Sequence, residues 1–177
     1  MGPLVVTTAG ASFITSALIN KRQVTRTIYA TDGTSVNDIT TSTQFYTMTT
    51  TNVNPNQSAA FARIGRGTRN PSYMDFNLVN TSVSDEDTTD INTVITCQSA
   101  QQNVVNGVST YTFVFVNTGS ETLHVNEIGF FVHDLSLSKS FLIMRGLLNS
   151  GSGFDIAPNQ TLTVTMQIDP SGSYVLP

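Results

Sequence analysis

A chain of 177 residues, 39% of them hydrophobic, is long enough to bury a substantial core as a single domain. Only 11% is charged, against about 25% in an average domain, and the net charge is −4 with a pI near 4.8. This balance argues against a broad nucleic-acid-binding surface, which needs a basic face. No apolar run approaches the roughly 18 to 20 residues of a membrane helix.

The start, Met1 to Val6, has neither a basic stretch nor a sustained apolar core of the secretory type, and Val6 stands where a myristoylation site needs Ser or Thr. Cytosolic synthesis without Sec-type export is therefore expected. The single Cys97 cannot form an intrachain disulfide. The missing charge is replaced by Thr, Ser and Asn. A surface so poor in charge has little electrostatic protection against association, and the expectation is a homo-oligomer whose surface is largely covered by partners, with a soluble monomer of a Thr-rich secreted kind as the alternative that composition leaves open.

In chain order, residues 8–22 carry the one helical pattern. Thr7 or Thr8 would cap it, Phe13, Ile14, Ala17 and Leu18 share a face, and Lys21-Arg22 close it. Residues 23–30 and 44–51 read as strands, with Asp32-Gly33 as a turn between them. Residues 52–57 form a loop around Pro55. Residues 59–64 are the next strand and run into a loop at 65–71, with Gly65, Gly67 and Pro71. The polar, acidic stretch 80–90 is the expected boundary or mobile segment. Strands follow at 91–99, 110–117, 123–132, 140–148 and 161–168. In the last, Leu162, Val164, Met166 and Ile168 alternate with Thr161, Thr163, Thr165 and Gln167, the period of a strand with one buried face. It is expected to be a central strand.

Eight or so short strands with turn punctuation indicate an all-β protein, a single antiparallel β-sandwich of jelly-roll or immunoglobulin-like type with a short N-terminal helix or arm. The expected division is an arm over residues 1–22 and a sandwich over 23–177. Residues 113–116, 128–132 and 141–144 are apolar on both faces and must be covered on both. Either the N-terminal arm or a subunit interface would cover the outer side.

Chemical machinery is sparse. His124 and His133 have no nucleophile beside them in sequence, and no His/Cys spacing suits a transition metal. Asp85-Glu86-Asp87 with Asp90 lacks the alternating ligands and glycine of a calcium loop and reads as a solvated acidic loop. Gly65 and Gly67 match neither phosphate-binding fingerprint. The triplets at Asn56, Asn80 and Asn159 arise by chance in a chain rich in Asn, Ser and Thr. No catalytic residue, cofactor or metal ligand is predicted. Arg63, Arg66 and Arg69, however, concentrate three of eight basic residues in one stretch. Arginine favours bidentate pairing with carboxylates at interfaces, so contact with an acidic neighbouring subunit is one reading and a solvated loop the other.

Three segments, in order, resemble a known family. Ile64-Gly65-Arg66-Gly67-Thr68, continuing through Pro71 and Asp75 to Leu78, is similar to an "IGxGTxxPxxxDxxL" stretch in small structural proteins of tailed bacteriophages. Asn117-Thr118-Gly119-Ser120 followed by Val125-Asn126-Glu127-Ile128-Gly129-Phe130-Phe131 resembles their "NTGS…VxEIGLF" segment. An apolar strand carrying Arg145, then Phe154-Asp155-Ile156-Ala157-Pro158-Asn159-Gln160-Thr161-Leu162-Thr163-Val164, looks like their closing part. The resemblance covers about residues 60–168. It implies a non-enzymatic virion protein (capsid decoration, neck, tail or fibre-associated) made in the host cytoplasm, with other virion proteins as partners. Arg63, Arg66, Arg69, Phe130 and Phe131 are the expected interface residues. The alternative is recognition of a host-surface glycan, or an adhesive carbohydrate-binding module, through loops such as 136–139 or 149–153. The absence of tryptophan and the placement of most phenylalanines in strands speak against it.

Overall fold

The alternating runs fold as strands because only a pleated pair buries one side of each while its backbone groups bond to a neighbour. The computed structural model describes residues 5–7, 10, 27–36, 47–48, 59–72, 74, 77–78, 94–105, 108–134 and 137–168. Its strands are β1 (Val5–Val6), β2 (Ile28–Tyr29), β3 (Ser35–Val36), β4 (Thr47–Met48), β5 (Ala59–Gly65) and β6 (Ile95–Val105). They continue with β7 (Val108–Asn117), β8 (Leu123–Val125), β9 (Glu127–Asp134), β10 (Lys139–Leu147), β11 (Phe154–Ile156) and β12 (Thr161–Ile168). A 3₁₀ turn spans Leu148–Gly151.

A five-stranded sheet has the order β1-β10-β9-β5-β4, and a three-stranded sheet has the order β12-β7-β6. The two-stranded ladders β11-β8 and β2-β3 complete the framework. Among the described residues pairing is antiparallel except between β4 and β5. The main core lies between the two larger sheets. Ala60, Ala62, Ile64, Ile128, Phe130 and Val132 from one meet Cys97, Phe113, Phe115, Val164 and Met166 from the other. Phe130 packs against Tyr111 at 5.5 Å and Phe113 at 6.2 Å between ring centroids, joining the two layers. The all-β sandwich expected from the sequence is the fold observed.

Strand β9 is buried at every position. Alternation sends Ile128, Phe130 and Val132 to the main core and Glu127, Gly129 and Phe131 to the opposite face. There a second, smaller core forms from Phe61, Leu78, Phe131 and Leu142, with the rings of Phe61 and Phe131 stacked at 5.3 Å. This corrects the expected interface: Phe130 and Phe131 are interior residues, 9% and 1% exposed in the single chain. Leu78, from the segment after the glycine loop, closes over Phe131.

Other differences are local. The run 123–132, expected as one strand, is two strands in different sheets, β8 and β9, broken at Asn126. Strand β12 has the expected alternation but, among the described residues, pairs only with β7, so within them it is an edge rather than a central strand. Val5–Val6, from the expected arm, forms an edge of the five-stranded sheet. The helix expected over 8–22 and the acidic stretch 80–90 lie outside the described residues, Gly10 excepted. The Thr7 hydroxyl does accept the N–H of Gly10 at 3.0 Å, the bond of an N-cap residue. The Asp32-Gly33 turn is present, with Gly33 at φ 79°. Asp32 accepts the Thr34 N–H at 2.9 Å and the Lys139 ammonium at 2.5 Å.

Two outcomes follow. At Gly129 an added Cβ would lie 2.7 Å from the Phe131 ring and 2.8 Å from methyl carbons of Leu142 and Leu78. Gly129→Ala should therefore cost about 1–3 kcal/mol of overpacking strain, measured by denaturant unfolding; an unchanged midpoint would show the second core to be loosely packed. The Lys139 hydrogen bond, then that from Thr34, holds the Asp32 carboxyl far below its ordinary value of 3.8. A depressed pKa contributes stability above the unfolded value and loses it as pH falls. Asp32→Asn should lower Tm slightly at pH 7, and its gap from the wild type should close in acid.

Candidate functional site

Between β8 and β9 a single residue, Asn126, carries the chain from one sheet to another. Its backbone N–H donates to the Gly65 carbonyl at 2.8 Å, and its carbonyl accepts the Leu148 N–H at 2.7 Å. Its side-chain Nδ2 donates to the Arg66 carbonyl at 2.9 Å, and its Oδ1 lies 3.1 Å from His124 Nε2. The corner is tight. Gly153, at φ +65°, lies where a Cβ would come within 2.3 Å of Asn126 Oδ1 and 2.4 Å of the Val125 carbonyl.

The next residue continues the pinning. Glu127 and Arg145 have no exposed side-chain surface, and Arg145 Nε donates to Glu127 Oε2 at 2.6 Å. The second carboxylate oxygen accepts the Gly67 N–H at 3.0 Å. Arg145 Nη2 donates to the Arg69 carbonyl at 2.9 Å. The backbone of Gly65, Arg66, Gly67 and Arg69 is thus fastened at four points by Asn126, Glu127 and Arg145.

The loop so held presents Thr68, Arg69 and Asn70 to solvent, while the side chains of Arg63 and Arg66 are half-buried. The Arg63 guanidinium lies 5.4 Å from the centroid of the Phe61 ring, a cation–π stack on the outer column Phe61–Phe131. The structure therefore places Arg63 on the outer face of the five-stranded sheet and Arg66 and Arg69 in the loop fastened there, while Phe131 is buried on that face and Phe130 in the main core.

The chemistry elsewhere is limited. His124 Nδ1 lies 2.5 Å from Asp155 Oδ1 across the β8–β11 ladder, and its other nitrogen faces Asn126, so both ring nitrogens are engaged by oxygens. His133, on a different sheet, contacts the Ser140 hydroxyl at 3.0 Å. Burial pushes the Cys97 thiol up, away from the reactive thiolate. Among the described residues no three His, Cys, Asp or Glu side chains converge as a metal site. None of their helices is long and apolar enough to cross a membrane.

Asn126, Glu127 and Arg145 were not among the residues expected to matter. Their available signal was chemical rather than periodic: each charge stands alone at one end of an apolar run. Glu127 precedes Ile-Gly-Phe-Phe-Val, and Arg145 follows Phe-Leu-Ile-Met. A lone charge in a two-faced apolar strand requires a buried partner. Neither known protein families, nor curated proteins, nor solved structures yield a match for this chain.

Arg145→Met should cost about 3–5 kcal/mol by leaving Glu127 buried without its counter-charge. The double variant Glu127→Leu/Arg145→Met should recover part of that loss, as read by denaturant unfolding. Additive losses would show that the two side chains act independently.

Proposed function

We propose that the chain is a non-enzymatic structural component of a bacteriophage virion, assembling through its sandwich surfaces with itself and with other capsid or tail proteins. The observation that supports this most directly is the fastened loop at 65–70. Its backbone polar groups bond inward to Asn126, Glu127 and Arg145, leaving the tip at Thr68, Arg69 and Asn70 outward on a fixed base. A loop already ordered before contact loses little conformational freedom on docking, and arginine is enriched where protein surfaces meet. The resemblance over residues 60–168 supplies the kind of particle. Acidic surfaces of neighbouring subunits are the partners this loop suits, and the virion is where the protein would reside.

Glycan recognition gains no specific support. The described exposed aromatics, Tyr29 and Phe154, belong to different two-stranded ladders. Phe154 and Asp155 are adjacent on one strand and so point to opposite faces. A sugar site needs an apolar platform and polar groups converging on one cleft.

Replacing Arg63, Arg66 and Arg69 together with Ala should reduce incorporation into particles of the virus that encodes the protein. The isolated chain should still fold, because the loop is held through its backbone. Undiminished incorporation of the folded variant would remove the loop from assembly.

A further inference from the structure

The three-stranded sheet has an unusual edge. β6 is its outer strand, and no other strand pairs with its far side among the described residues. All of residues 101–105 are exposed, Val104 and Val105 at 58% and 57%. An exposed edge is a row of backbone donors and acceptors ready for another strand. Proteins that avoid such pairing place lysine, proline, inward charge or a bulge along the edge. β6 has no charged residue and no proline, and its bulge lies at Cys97/Ser99, away from the exposed half.

Charge narrows the choice of partner. Across β6, β7 and β12 there is no Asp, Glu, Lys or Arg, although the whole chain has a net charge of −4. Two copies approaching at random repel one another. Through this sheet they meet without any like-charge pair. A charged partner strand would find nothing on β6 to neutralise it. The match for a neutral, polar-and-valine edge is the same edge on a second copy, related by a two-fold axis.

We infer that two copies of the chain pair antiparallel through β6, with the axis near Gln102, joining their three-stranded sheets into one of six strands. In that register Gln101 of one copy lies opposite Asn103 of the other. Val104 then faces Ala100, and Val105 faces Ser99, so both exposed valines gain cover. Gln101 and Asn103 lie on the outer face, where directly opposed side chains on paired strands interact.

This deepens the assembly reading and rests on it, but its test is made in solution, without particles, so either can fail alone. Mass is measured across dilution by sedimentation for the wild type, Gln101→Lys/Asn103→Lys and Gln101→Glu/Asn103→Glu. Both positions are exposed, so the variants should fold, which circular dichroism checks. The wild type should dimerise. Each variant alone should self-associate on the order of tenfold more weakly. An equimolar mixture of the two should restore dimers, because every lysine then faces a glutamate. A wild type that stays monomeric up to the highest soluble concentration overturns the pairing. So do dimers that persist in both variants, which would place the contact elsewhere, such as along β12.

Discussion

A carboxylate and a guanidinium with no solvent exposure lose more hydration than their attraction returns unless their remaining hydrogen-bonding positions are also met. Glu127 and Arg145 lie on neighbouring strands, and those strands alone cannot meet them, because strand backbone groups are already committed to the ladder. A third segment supplies partners to both, the Gly67 N–H to Glu127 and the Arg69 carbonyl to Arg145. The ion pair therefore supplies two of the four bonds that set the position of the glycine loop, and Asn126 the other two. Gly129 lies directly opposite Arg145 on one side and Arg63 on the other. With no side chain there, the same face has room for Phe131, Leu142 and Leu78 to close together.

Much of the fold was legible because period-two alternation is a local signal. β12 was placed by it, and β5 and β7 were placed to within two residues as strand-forming runs between turn signals. The misreading at 123–132 has a clear cause. Leu123, Val125 and the apolar run beyond make a continuous strand-like pattern, and the break at Asn126 is produced by hydrogen bonds to Gly65, Arg66 and Leu148, all distant in sequence. β1, β3 and β11 are two or three residues long, too short for any period to register.

The site was legible in a different measure. The arginine stretch stood out by density of charge, but the sequence could not say that its backbone would be the part held. Phe130 and Phe131 were correctly read as needing cover on both faces. The identity of the cover was not readable, because Leu78 lies within a largely polar segment. The Glu127–Arg145 partnership depends on which strands neighbour each other, and that is a property of topology rather than of pattern. Read together with the fold, the two lone charges point to each other. Read along the chain, each is only an exception in an apolar run.

An apolar pair at 127 and 145 would fill the same space and avoid the desolvation cost, which for many buried ion pairs makes the ionic version the less stable one. It could not, however, bond a backbone N–H or a carbonyl. A glycine-rich loop set on such a face would leave those groups buried and unmet, at about 1–3 kcal/mol each. The loop would then gain by lifting into water. A charged pair that still offers acceptors and donors reverses that preference, so the polar loop is stable on an apolar sheet in one position. The pair's contribution is thus geometric more than energetic. It makes a stretch that the sequence marks only as a loop into a fixed feature of the surface.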